Sequence, residues 1–238
     1  MFYGFDPTYI LVLIGVVISM AASAKLKSTF SRYSQVRSKS GLTGQEVARR
    51  ILQANGIYDV NVQPIAGNLT DHYDPSKKTV NLSESIYNSS SVAALGVAAH
   101  ECGHAIQDNT GYFPLRFRSA FVPIASIGSK MSWPMILIGL LLGAGTKSGS
   151  IGWSLISIGI FLFMLAVIFQ IVTLPVEYNA SHRALLQLQS TGILPPDEEK
   201  EARSVLSAAA LTYVAAVAAS ILQLLRLFIL FGGRRNSD

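Results

Sequence analysis

Apolar and polar positions in this chain fall into blocks. Residues 9–24 form a charge-free apolar run, followed at once by Lys25 and Lys27. Ala22-Ser23-Ala24 resembles a leader cleavage site. However, the residues before the run carry Asp6 and no positive charge, while the basic residues follow it. That order predicts a retained transmembrane anchor over 1–24 with its N-terminus outside. Residues 25–118 are polar enough to lie outside a bilayer. Within them Thr43-Gly44-Gln45-Glu46 is a capping-box pattern and Asn55-Gly56 a stop, so a short helix is predicted over 44–55. Val60, Val62 and Ile65 predict a strand. Residues 69–82 predict two short strands around an Asp74-Pro75-Ser76 turn, with Val80 and Leu82 on one face. Ser89, Ser90 or Ser91 can cap the next helix, from about 91 to Gln107.

Three more apolar stretches follow. Residues 120–145 contain Lys130 and Pro134, which predicts an interfacial helix over 117–130 and a span starting near Met131. Residues 151–174 are a cleaner span, near the roughly twenty residues a bilayer core requires. Residues 208–231 are interrupted by Gln223 and Arg226. The expected architecture is a mainly α, membrane helical protein with a small α+β catalytic region containing a β-hairpin or sheet. Its expected parts are an N-terminal anchor (1–24) and a catalytic region (25–118). Two transmembrane segments joined by a short loop follow (119–174), then a second polar catalytic segment punctuated by Pro195-Pro196 (175–207), and a C-terminal hydrophobic helix with a basic tail (208–238).

Composition supports lipid as the solvent for these blocks. Half of the 238 residues are apolar and only 14% are charged, against about 25% charged in a typical soluble domain. One cysteine excludes an internal disulfide framework. The net charge of +5 lies beside apolar runs, where anionic headgroups meet it, and no groove-reading or base-stacking motif accompanies it. The expected partners are therefore the bilayer and no nucleic acid. Two spans separate 25–118 from 175–207, which places both segments on one side. That side carries Lys25, Lys27, Arg32, Arg37, Lys39, Arg116, Arg118 and Arg183, against Lys147, Arg234 and Arg235 opposite. The bias predicts a cytoplasmic catalytic region. The Arg234-Arg235 pair dissents, unless the last stretch folds back without crossing.

The chemistry lies in His100-Glu101-Cys102-Gly103-His104, the zincin pattern H-E-x-x-H. On a helix, residues four apart are displaced by only about 40°, so both imidazoles face one metal. Glu101, rotated by about 100°, stands beside the fourth coordination position, where it can take a proton from water attacking a peptide carbonyl. Cys102 sits about 200° from His100, which makes it core filler. Two histidines cannot close a catalytic zinc site. His72 and His182 are the other histidines, and the nearby acids include Asp71, Asp74, Glu84 and Glu177. Thr110 occupies the position at which the metzincin extension would place histidine, excluding that class. A carboxylate on a second helix is the usual alternative. Leu174-Pro175-Val176-Glu177 reads as the start of such a helix, with Glu177 the expected ligand or, failing that, a first-turn acid.

Taken together, the N-terminal anchor, Leu69-Thr70-Asp71-His72-Tyr73-Asp74-Pro75, His100 to Gln107 and Pro175 to Ala184 resemble the YugP-type neutral zinc metallopeptidases of bacteria. More distantly the chain is similar to the HtpX-like and CAAX-processing membrane peptidases. The resemblance implies a gluzincin-type arrangement with one Zn2+ per chain, His100, His104 and Glu177 as ligands and Glu101 as base. It also implies a multi-pass protein of the bacterial cytoplasmic (inner) membrane. One departure stands out: the distant relatives place aspartate four residues after their glutamate, and Ser181 stands there. Serine can bond a ligand histidine without carrying charge; water, Asp71 or Asp74 are the alternatives. His182, about 140° from Glu177, is not expected to share its metal. The strand 79–83, with Val80 and Asn81, resembles the edge against which zincins lay an extended substrate. His72 and Tyr73 can polarise the substrate carbonyl or merely shape the hairpin.

The expected function is a membrane-bound zinc endopeptidase acting on membrane-proximal or unfolded polypeptide. A site-2-type intramembrane protease would need the motif inside a long apolar span, yet Gln107-Asp108-Asn109 ends this helix in polar sequence. A metal-stabilised scaffold or sensor without turnover has no use for Glu101. A transporter would show more polar residues within its spans.

Overall fold

A computed structural model describes residues 6–143 and 150–232; the expected loop around Lys147 and the tail with Arg234 and Arg235 lie outside the described residues. In chain order the elements are α1 (Tyr9–Ser34), α2 (Gly44–Ala54), β1 (Asn61–Ile65), β2 (His72–Asp74), β3 (Thr79–Ser83) and α3 (Glu84–Tyr87), then α4 (Val92–Asn109), α5 (Phe113–Gly143), α6 (Ser150–Ser190) and α7 (Pro196–Phe231). The chain is mainly helical with one small three-stranded sheet. Helices α1, α5, α6 and α7 are each long and apolar enough to cross a membrane. Two compact units result: one from Ala22–Arg116 and Leu174–Thr212, the other from the described residues within Met1–Ala21, Phe117–Thr173 and Tyr213–Asp238.

The first unit has an ordinary water-type core. Glu46 of α2 reaches back to the Thr43 amide at 2.8 Å, closing the predicted capping box. Gly56, at φ +68°, ends that helix in the left-handed region, with the Ile57 amide bonded to Leu52 O at 2.9 Å. Between these stops Val47, Ala48, Ile51 and Leu52 form one buried face. They pack with Val80, Leu82, Leu95, Ala98, Ala99 and Cys102 into a single cluster. Ser91 caps α4 by accepting from the Ala94 amide at 3.2 Å. The segment before α2 is fastened to the start of α7, where buried Glu198 accepts from Ser38 Oγ at 2.6 Å and from the Lys39 amide at 2.9 Å.

The second unit reverses the usual burial. Large apolar side chains such as Val17, Leu137 and Ile151 are exposed, and Leu141 reaches 78%. Buried Ser132 contrasts with them. Helices α5 and α6 approach so closely at Gly139 and Gly152 that a Cβ on either would lie under 3 Å from the other's backbone, the small-residue packing that lipid-facing helices favour. Arg226 is not left bare: its guanidinium donates to Asp6 Oδ2 and Thr8 Oγ1, both at 3.1 Å, and lies 4.2 Å from the Tyr9 ring centroid.

Several expected boundaries shift. Helix α5 runs unbroken through Pro123 and Pro134, so no separate interfacial helix covers 117–130. Helix α6 likewise passes through Pro175, which does not begin a helix, and Glu177 is therefore not a first-turn acid. A proline removes one ladder bond and bends a helix, but in a packed or apolar setting its neighbours keep the rest of the ladder in place. Helix α7 starts at Pro196, with Asp197, Glu198 and Glu199 in its first turn, rather than near 208. The sheet order is β1-β3-β2, with β1 parallel and β2 antiparallel to β3. The strand 79–83 is thus central and fully buried, not an edge. Local alternation revealed the strands but carried no information about this long-range pairing.

Candidate metal centre

Helix α4 presents His100 and His104 on one face, with ring centroids 4.8 Å apart and planes nearly perpendicular at 84°. Small neighbours make room for the opposing helix. A Cβ at Gly103 would stand 2.4 Å from the Ala180 carbonyl oxygen of α6, so only glycine permits this approach. Across that contact Glu177, only 3% exposed, aims its carboxylate between the imidazoles. Its Oε2 lies 3.3 Å from His100 Nε2 and 3.6 Å from His104 Nε2. One ligand atom from each of the three residues falls within 4.8 Å of the others. A tetrahedral site with bonds of ~2.1 Å has edges of roughly 3.4 Å, so the two nitrogen–oxygen separations fit zinc.

The remaining ring nitrogens are held from behind. His100 Nδ1 lies 3.1 Å from Ser181 Oγ, so serine does meet this candidate ligand. His104 Nδ1 lies 3.0 Å from Gln107 Oε1. Gln107, 0% exposed, donates through Nε2 to Val176 O at 2.8 Å and Asn179 Oδ1 at 3.0 Å. The sequence reading did not single out Gln107 or Asn179. For Gln107 a signal was available, since it is three residues past His104 and so on its face, but a polar helix end disguised it. Asn179, two past Glu177 and so about 200° around the helix from it, gave none.

Glu101 is 7% exposed. Burial pushes its carboxyl up to about 7; His100 opposes the shift, while Glu177 and Asp71 add to it. These charges act on Glu101 because they share its surroundings, yet it is not among the three converging side chains. Cys102 points away from the site into the core, with Sγ 3.5 Å from Ala48 O, and burial pushes its thiol up. His182 is exposed.

Other expected site residues do different work. Val80 is completely buried in the core cluster and cannot touch a substrate. Buried Asn81 spends its amide within the sheet: its oxygen accepts from Gln63 at 2.7 Å, and its nitrogen faces His72 and Thr79. His72 is exposed, with Nδ1 2.9 Å from Thr70 O. Tyr73 donates to Asp108 Oδ2 at 2.8 Å, and burial followed by this bond pushes its hydroxyl far up. Asp71 accepts from the Ser83 amide at 2.7 Å and from its hydroxyl, and Asp74 from the amides of Ser76 and Lys77 in the hairpin turn. Neither aspartate backs a ligand histidine in the geometry seen; both shape the strands. Lys78 completes this side by pairing with Asp108 at 2.7 Å.

The chain matches the protein family described as "Putative neutral zinc metallopeptidase" over residues 8–232. It is 45% identical over 228 residues to a Bacillus subtilis (strain 168) protein named "Putative membrane protease YugP", covering 96% of this chain and 98% of that relative. No solved structure matches it.

Proposed function

We propose, for a chain that belongs to this family of neutral zinc metallopeptidases, that it is a membrane-bound endopeptidase carrying one zinc ion per chain in a gluzincin-type, zincin-like site. The observation that carries the reading is the convergence of His100, His104 and Glu177, with a buried, non-converging glutamate beside them. Zinc held by these three residues supplies Lewis acidity, making a water molecule more acidic and polarising the scissile carbonyl. Glu101 takes the proton from the attacking water and passes it to the departing amine. Burial raises the basicity of the Glu101 carboxylate, which favours its accepting a proton.

Substrate recognition falls to β2 rather than β3. β2 ends the sheet, and Asp71 and His72 act electrostatically on Glu101. An extended polypeptide adding to that edge gains main-chain bonds with little sequence preference. Membrane-proximal or unfolded polypeptides are the fitting class. In this reading residues 25–118 and 175–207 carry catalysis, and 1–24, 119–174 and 208–238 hold the chain in the bacterial inner membrane. The excess of Lys and Arg in the two catalytic segments supports a cytoplasmic placement. Retention of Glu101 speaks against a scaffold without turnover.

The test is the metal content of protein purified in detergent, with cleavage of an unfolded protein before and after chelation. About one zinc per chain, and activity lost on chelation and restored by zinc, is the expected result. Glu177→Ala should lose the metal and the activity together; full zinc occupancy in that variant would remove Glu177 from the ligand set.

A further inference from the structure

We propose that Gln107, Asn179 and Arg183 form a hydrogen-bond relay that fixes which nitrogen of His104 is left bare for the metal. The proposal rests on the reading of His104 as a ligand and concerns how that ligand is held. It starts from a group whose polarity admits no choice. The Arg183 guanidinium can only donate, and its Nε lies 2.8 Å from Asn179 Oδ1, so that atom must be the amide oxygen. An oxygen there requires the facing Gln107 atom, 3.0 Å away, to be its NH2. The Val176 carbonyl, an acceptor only and 2.8 Å from the same nitrogen, imposes the same orientation independently.

With its NH2 committed twice, Gln107 can present only its oxygen to His104 Nδ1, at 3.0 Å. Nδ1 must then carry a hydrogen, and in the neutral ring Nε2, the atom facing Glu177, keeps a bare lone pair. Gln107 is fully buried, so water cannot substitute for either partner. Arg183 is itself placed over the Tyr112 ring, 5.9 Å from its centroid. Tyr112 is the residue whose amide closes the end of α4 on Gln107 O at 2.9 Å. The relay therefore ties the helix bearing both histidines to the helix bearing Glu177.

His100 is held differently. Its Nδ1 meets Ser181 Oγ at 3.1 Å, and a hydroxyl can donate or accept. The tautomer of His104 is dictated; that of His100 is not. Gln107 is thus a positioning residue for one ligand in particular, with Asn179 and Arg183 positioning Gln107.

The experiment compares wild type, Gln107→Met and Asn179→Asp as full chains in detergent. Zinc affinity is read by chelator competition, and the histidine ring nitrogens by 15N NMR of metal-free protein. Asn179→Asp keeps an acceptor toward both Gln107 and Arg183, so His104 Nδ1 should be protonated in that metal-free variant as well. Gln107→Met should bind zinc about 10- to 100-fold more weakly, the usual scale for losing an outer partner of a ligand histidine. In metal-free wild type, His104 Nδ1 should be protonated. Wild-type zinc affinity in Gln107→Met, or a bare Nδ1 on wild-type His104, overturns the relay. If Gln107→Met does not fold, the nitrogen spectra of wild type and Asn179→Asp decide it, and a bare His104 Nδ1 in either overturns the relay. A wild type that binds no zinc would instead defeat the proposed function, leaving the Nδ1 measurement to decide the relay.

Discussion

In the unit that holds His100, His104 and Glu177, Ile51, Leu82 and Leu95 are fully buried and polar side chains find specific partners; in the other unit, Val17, Leu137 and Leu141 stand exposed. The same hydrophobic effect cannot produce both patterns in one solvent. Water explains the first and hydrocarbon the second, where exposed leucines cost nothing and a backbone must satisfy itself within helices. The units also use glycine alike but to different ends. Gly139 and Gly152 let two apolar helices touch, whereas Gly103 lets two helices bring His100, His104 and Glu177 to one point.

The most disruptive way to probe this contrast is Gly103→Val. Its Cβ would meet the Ala180 carbonyl at under 3 Å, and the backbone cannot yield without separating α4 from α6. A loss of about 4 kcal/mol is expected, together with loss of zinc; metal content and thermal melting check both. Next comes a paired charge insertion. Val17→Lys should cost about 3 kcal/mol of membrane stability if that face meets lipid. Tyr58→Lys, at a position 80% exposed in the other unit, should stay within about 0.5 kcal/mol. Equal effects on membrane extraction and melting would erase the distinction between the units.

How much of this was legible in the sequence follows the same divide. The capping box, the Asn55-Gly56 stop and the four-residue spacing of His100 and His104 are local rules, and α2, α4 and the shared face of the two histidines follow from them. Glu177, which converges with the two histidines, stands out in the sequence as a lone acid just beyond an apolar run. The prolines misled: Pro175 reads as a helix start in water, yet α6 continues through it. The pairing of β1 with β3 across the β2 hairpin depends on contacts distant in sequence, so β3 was taken for an edge. Gln107 escaped notice because a buried glutamine at a helix end reads as surface until its partners on α6 are known.

Two smaller effects concern the unit that holds His100, His104 and Glu177. Cys102→Ala leaves a small void in the core, for about 1 kcal/mol, and zinc content should not change; a drop in zinc would make the thiol part of the site. Asp108→Asn removes a carboxylate whose partial burial raises its pKa but whose bonds with Lys78 and Tyr73 outweigh that and lower it. A folded pKa below the unfolded one means that its contribution is present above the ordinary carboxylate range and is lost as pH falls through the folded value. The pair is partly exposed, so about 0.5–1 kcal/mol is expected. Acid melting of the variant should show a shallower loss than wild type, and an unchanged acid limb would deny the clamp.

The central claim is that a buried glutamate beside three metal ligands does the proton transfer. The measurement that reaches it most directly is zinc content and cleavage of an unfolded protein, made in parallel on wild type and Glu101→Gln in detergent. The account predicts about one zinc per chain in both proteins, with cleavage by the variant reduced by about a hundred- to ten-thousand-fold. Wild-type cleavage by Glu101→Gln, or zinc-loaded proteins of which neither cleaves, would contradict it.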